Sequence, residues 1–278
     1  MLSGKFRSDL DRNQALSNAY RNSATLKAGS ACLDTALSSP QPAHIMSKST
    51  PILLLPGLNA SARLYAEQIP YLWIFGSVMV PDHTQDDTIA AIGRRILADA
   101  PPRFALIGHS MGGYIAFEIM RQAAERVDRL ALLDTSARSD TPEQTKSRLE
   151  CIAMAEQGRL SELNDNVFPV IVHESRHDDM SLRAICDAMS DDIGPAAYVR
   201  QHKAIITRPD SRSTLAAICC PTLVLVGDSD LLTPPDLARE IADEIAGAQL
   251  VLIPSCGHLS TLEQPAGVNA ALGSWMAA

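Results

Sequence analysis

One hydroxyl stands among glycines at Gly108-His109-Ser110-Met111-Gly112, inside the stretch ALIGHSMGGYIAFEIM that runs from Ala105 to Met120. A G-x-S-x-G pattern that follows a strand and opens a helix sets its serine on a sharp turn, with Oγ exposed above the sheet. The flanking glycines omit Cβ atoms that would collide with neighbouring elements. The helix N-terminus leaves N–H groups free and presents a positive dipole end, which favours developing negative charge. A serine capping a small-residue turn would give the same five letters. The apolar run before Ser110 and the apolar helix after it favour a nucleophile.

A serine hydroxyl is a weak nucleophile and needs a base. The chain has 7 histidines. His44 lies in a polar leader, and His83 follows a strand end, where it could line a site. His109 is directed away from Ser110 by its own turn. His173, His177 and His202 fall in a long polar interval. His258 follows the last apolar run, in the glycine turn Pro254-Ser255-Cys256-Gly257-His258, and is the expected base. A base of this kind needs an orienting carboxylate. The segment Gly227-Asp228-Ser229-Asp230 offers two, of which Asp230 reaches further into its loop. Asp228 could simply hold that loop, and Asp134, after Leu133, is a third candidate. Acyl transfer further needs N–H donors for an oxyanion. The backbone N–H groups of Leu58, in Leu55-Pro56-Gly57-Leu58-Asn59, and of Met111 are the natural pair.

The elements that must position these groups are regular from Pro51 onward. Ile52–Leu55, Ser77–Val80, Phe104–Ile107, Leu130–Leu133, Thr222–Val226 and Leu250–Ile253 are short apolar runs bounded by turn residues. Apolar on both faces, they read as strands buried between helical layers. Amphipathic segments such as Thr88–Leu97 and Asp236–Ala242 alternate with them. That alternation predicts an α/β fold with a doubly wound, mostly parallel sheet, which binds ligands at its strands' carboxyl ends. Residues 50–137 and 220–278 form the expected core. Residues 138–219 lack a core strand and are too long for a loop, so they read as an inserted helical cap. Residues 1–49 read as a flexible N-terminal extension, with Met46 a candidate true start.

Composition bounds the partners. Lys plus Arg is 24 and Asp plus Glu is 32, for a net charge of −8. With no basic run to offset it, that balance argues against nucleic acid and suits small-molecule chemistry. No apolar run approaches a membrane span. The 6 cysteines are scattered without CxxC spacing, as in a cytoplasmic protein with reduced thiols. His173 and His177 have an HxxxH spacing, but two imidazoles alone make a poor zinc site, so no metal is expected. Trp73 and Trp275 read as core residues.

Four ordered motifs, LLLPGL at 53–58, GHSMGG at 108–113, GDSDLLTPP at 227–235 and CGHLSTLEQP at 256–265, resemble the α/β-hydrolase family. The resemblance implies Ser110 as nucleophile, His258 as base, Asp230 as acid, and Leu58 and Met111 as oxyanion donors, with no cofactor. It implies a serine hydrolase cleaving a small ester or lactone through an acyl-enzyme. The same triad could serve C–C bond hydrolysis or cofactor-free perhydrolysis, or the pocket a slow-turnover ligand receptor. Pro56 stands where the family usually has histidine. Pro81 to Asp87 replaces a commoner glycine-rich loop. No leading β-hairpin precedes Pro51, so a sheet of about six strands is expected.

Overall fold

A computed structural model describes residues 49–278 of the chain. The expected extension therefore lies outside the described residues, except for Ser49. The six apolar runs form one sheet of strands β1 (Ile52–Leu55), β2 (Val78–Met79), β3 (Phe104–His109), β4 (Val127–Leu133), β5 (Thr222–Gly227) and β6 (Gln249–Ile253). All neighbours are parallel and the order is β2-β1-β3-β4-β5-β6. The chain starts at β1, steps outward to β2, then returns to β3 and builds the other way. The reversal falls between β1 and β3, the place where a doubly wound sheet opens a crevice at its strand ends.

Alternate residues of each central strand feed opposite layers, as the two-residue period of a strand requires. Leu53, Leu55, Phe104 and Leu106 pack with helices α2 (Ile89–Asp99) and α3 (Met111–Ala123) on one face. Ile52, Leu54, Ala105 and Ile107 pack on the other, with Leu72 of α1 (Gln68–Leu72) and with the C-terminal Trp275. Full burial of each such side chain contributes about 1.5–3 kcal/mol, so this double core dominates the fold's stability.

Between β4 and β5 lie three longer helices: α4 (Pro142–Glu156), α5 (Leu160–Ile171) and α6 (Met180–Ile206). Helix α4 begins with a capping box, in which the Thr141 hydroxyl accepts from Gln144 N–H and the Gln144 side chain accepts from Thr141 N–H. Asp179 caps α6 by accepting from the N–H groups of Ser181 and Leu182. Helix α6 is broken at Gly194, whose φ of 72° precedes Pro195. Ile152, Ala155, Leu163, Tyr198 and Val199 give these helices a small core of their own. After β5 come α7 (Pro235–Glu244), α8 (Ser260–Glu263) and α9 (Pro265–Ala277).

Two expectations need correction. Burial on both faces holds for β1, β3 and β5, but β6 is largely half-buried or exposed and β2 is half-buried. These are the edge strands, with a neighbour on one side only. Trp275 is buried as expected, whereas Trp73 is 64% exposed. Helix α1 turns Leu72 inward and ends there, leaving Trp73 and Ile74 on the outer surface.

Candidate active site

Ser110 sits between β3 and α3 with φ 52° and ψ −115°, a backbone region costly for a residue with a side chain. Its surroundings hold it there. Ser110 N–H donates to Leu133 O (2.9 Å), and Ser110 O accepts from Gly113 N–H (2.8 Å) and Thr135 Oγ1 (2.8 Å). The glycine after it is a matter of space: a Cβ on Gly112 would lie 2.0 Å from Leu55 O. Helix α3 can approach β1 closely only because that atom is missing.

The other two expected residues arrive from adjacent strand ends. Asp228 N–H donates to Ile253 O, so the loops after β5 and β6 leave the sheet side by side. His258 Nε2 lies 2.9 Å from Ser110 Oγ, and His258 Nδ1 lies 2.8 Å from Asp230 Oδ2. Asp230 Oδ2 accepts further from Thr233 Oγ1 (2.7 Å), and Oδ1 accepts from the N–H groups of Leu232 (2.8 Å) and Thr233 (3.0 Å). Burial opposes a charge on Asp230, but the His258 charge and hydrogen bond, with the Thr233 donors, hold its carboxyl well below the usual range. Burial likewise opposes the imidazolium of His258, and the adjacent Asp230 carboxylate outweighs it, raising His258 above 6.5.

The alternative aspartates sit elsewhere. Asp228 accepts from the N–H groups of Ser255 (3.1 Å) and Cys256 (3.2 Å), so it holds the loop that carries His258. Asp134 is fully buried and accepts from Gly227 N–H (2.9 Å) and Ser260 Oγ. Burial, then repulsion from Asp230, pushes it up to about 8. Among the three, Asp230 is the one hydrogen-bonded to His258.

Several supporting groups have no motif of their own. Buried His109 donates from Nε2 to His258 O (2.7 Å), and burial followed by the His258 charge lowers it to about 3. His258 N–H donates to Ile171 O (2.9 Å), so its backbone is gripped from both sides. Glu263, 4% exposed, accepts from the N–H groups of Gly257 (3.0 Å) and Leu259 (3.2 Å) with Oε1 and from His173 N–H (2.7 Å) with Oε2. Sequence reasoning passed over it. The signal was a lone carboxylate five residues after His258, between Leu262 and Gln264-Pro265. His83 is not at the cavity wall; its Nε2 lies 3.2 Å from Gly57 O and 3.1 Å from Gln201 Nε2, behind the loop.

That loop brings Leu58 to the serine. A Cβ on Gly57 would lie 3.1 Å from His109 Nδ1 and 3.2 Å from Ser110 Cβ, so the chain after β1 lies directly on the turn. Asn59 N–H donates to Gln201 Oε1 (3.0 Å) and Asn59 Nδ2 to Asn164 Oδ1 (3.1 Å), which ties the loop to α6 and α5. Met111 is the first residue of α3, so its N–H has no acceptor within the helix. Ser110, His258, Gly57 and Leu58 line a cavity of about 470 Å³, in the ordinary range for a small-molecule site. Its other walls come from α4, α5 and α6, with Phe168 and Leu163 among the apolar ones. No group of His, Cys, Asp and Glu suited to a metal occurs among the described residues. No described helix is long and apolar enough to cross a membrane.

Comparison with known proteins agrees with this architecture. Residues 52–271 match the model of the alpha/beta hydrolase family. The pimeloyl-[acyl-carrier protein] methyl ester esterase of Nitrosomonas europaea is 27% identical over 177 residues, covering 61% of this chain and 70% of that protein. A thermophilic esterase from Thermogutta terrifontis superposes with a TM-score of 0.76 at 28% identity, over 82% of this chain and 89% of that one. The enol-lactonase of Burkholderia xenovorans shares the fold, with a TM-score of 0.73 at 24% identity over 84% of this chain and 94% of its own.

Proposed function

This chain belongs to the alpha/beta hydrolase family, and within it we propose a serine hydrolase that cleaves a small carboxylic ester or lactone through an acyl-enzyme. The observation that carries this reading is the hydrogen-bonded line Ser110 Oγ, His258 Nε2, His258 Nδ1, Asp230 Oδ2, opening on a cavity. His258 takes the Ser110 proton as Oγ attacks the ester carbonyl. The N–H groups of Met111 and Leu58 receive the oxyanion. His258 returns the proton to the departing alkoxide, then activates a water that releases the acid. Asp230 keeps Nδ1 protonated and Nε2 free to accept, and stabilises the transient imidazolium. Helices α4 to α6 act as a cap over the pocket. Scattered cysteines, with the five described ones unpaired, favour the cytoplasm as its compartment.

The test is a fluorophosphonate probe followed by steady-state assays on short p-nitrophenyl esters and lactones. Labelling at Ser110 with repeated turnover is the expected outcome. Absence of labelling would overturn the nucleophile. One equivalent of product without further turnover would favour a ligand receptor instead.

A further inference from the structure

The cavity walls are chemically uneven. Leu163, Val167, Phe168 and Ile171 of α5 form an apolar side. Opposed to it in character are faces of α4 and α6. Gln144, Ser147, Arg148 and Cys151 recur at helical spacing on α4, and Tyr198, His202 and Ile205 do so on α6.

His202 is 3% exposed, yet neither ring nitrogen has a hydrogen-bond partner among the described residues. Its ring packs edge-on against Tyr198, with centroids 4.4 Å apart. Burial, then the Arg148 charge, lowers it to about 3, so it is a neutral imidazole with one N–H to give. His202 lines the cavity, and an unmet pair of buried nitrogens costs stability in the free protein.

Arg148 brings a charge in excess. Its Nε and Nη2 donate to Asp140 (2.6 and 3.4 Å), while Nη1 makes no hydrogen bond among the described residues. Asp140, with a side chain 1% exposed, also accepts from Arg208 Nη1 (2.6 Å), and Arg208 lies over the Tyr114 ring at 4.2 Å. Two guanidinium groups thus share one carboxylate. Glu143, on the same helix, also lines the cavity; it is exposed, and its carboxylate is engaged by its own backbone N–H and by Thr141. The other arginine at the cavity wall has the reverse balance: Arg183 is paired with both Asp165 and Asp187. The Nη1 donors of Arg148 are therefore left unused on the same cavity lining as an imidazole with an unused donor.

We infer that Arg148 and His202 form a subsite for a carboxylate that the substrate carries away from its scissile ester, which makes the substrate class a half-ester of a dicarboxylic acid or a carboxylate-bearing lactone. This rests on the serine-hydrolase reading. A guanidinium N–H and an imidazole N–H converge on one anionic group, and the second imidazole nitrogen remains an acceptor for a bridging water.

The test separates binding from chemistry. Ser110→Ala protein is titrated calorimetrically with the monomethyl and dimethyl esters of glutarate, adipate and pimelate. The expected result is that at least one monoester binds about tenfold or more tightly than its diester. Adding His202→Phe should remove most of that difference. Phenylalanine keeps the ring against Tyr198 and breaks no hydrogen bond in the protein, so this variant should fold. Arg148→Gln should remove the difference too, and Arg148→Lys should restore part of it. No preference for any monoester, or a preference that survives both His202→Phe and Arg148→Gln, would overturn the subsite. Tight monoester binding to the Ser110→Ala protein without turnover by the native protein would leave the subsite standing and overturn the hydrolase reading.

Discussion

Asp230 and Asp134 both follow a strand and are both buried, yet their surroundings drive them in opposite directions. Asp230 faces an imidazole and three donors from Leu232 and Thr233. Asp134 faces Gly227 N–H and Ser260 Oγ, and feels the charge of Asp230. On the proposed mechanism, Asp230→Asn should lower kcat/KM on a short p-nitrophenyl ester by about 10⁴, because the tautomer of His258 is lost. Asp134→Asn should cost less than about tenfold, because an amide can keep hydrogen bonds of ordinary strength to both partners. The reverse order in a side-by-side assay would reassign the acid. The raised His258 also fixes the pH profile. The base must be neutral, so the acid limb of kcat/KM should lie above 6.5, and a limb below that value would contradict the Asp230 pairing. Ser110, Asp230 and His258 were legible in the sequence as candidates because each is a reactive type in the turn or loop that follows an apolar run. The choice among aspartates needed the loop geometry, since Asp228 and Asp230 differ by two positions and serve different partners.

Single elements carry the precision. Helix α8 is four residues long, yet its Glu263 gathers N–H groups from Gly257, Leu259 and His173. Glu263→Gln places an amide NH₂ against one of these donors and should destabilise the fold by about 1–3 kcal/mol. Urea unfolding reads the stability loss, and kcat on a short ester should fall with it because the turn bearing His258 loosens. Unchanged unfolding would show that the carboxylate is dispensable. The strands were legible as elements because burial between two helical layers forces continuous apolar runs. The layout of α5 and α6 was not. Their residues serve the cavity, the core and solvent in turn, and the Gly194 break divides one hydrogen-bonded helix into two directions. Glu263 escaped notice for a related reason: its partners are backbone groups, which carry no sequence signature.

For the molecule as a whole, activity and stability should respond oppositely to pH. Asp134 has an ordinary value of 3.8 when unfolded and about 8 when folded. Between these values Asp134 holds a proton in the folded protein that it releases in the unfolded chain, so its contribution falls as pH rises, against the opposite contribution of His109 and His202, both lowered to about 3, which is complete by about 6.5. His258 acts in the same direction. Its folded value exceeds 6.5, so its contribution is complete below 6.5 and is lost as pH rises through the folded value. Asp230, whose folded value is depressed, contributes above its unfolded 3.8 and loses that contribution only as pH falls toward the folded value. Tm should therefore peak on the acid side of neutrality and decline toward pH 8, over the interval in which deprotonation of His258 raises kcat/KM. Asp134→Asn removes one of the two causes of that decline. Its Tm should gain on the native protein steadily from pH 5 to pH 8, while the acid limb of activity remains above 6.5 because Asp230 still faces His258. Parallel Tm curves for the two proteins would mean that Asp134 is already ionised in the fold, and the alkaline loss of stability would then rest on His258.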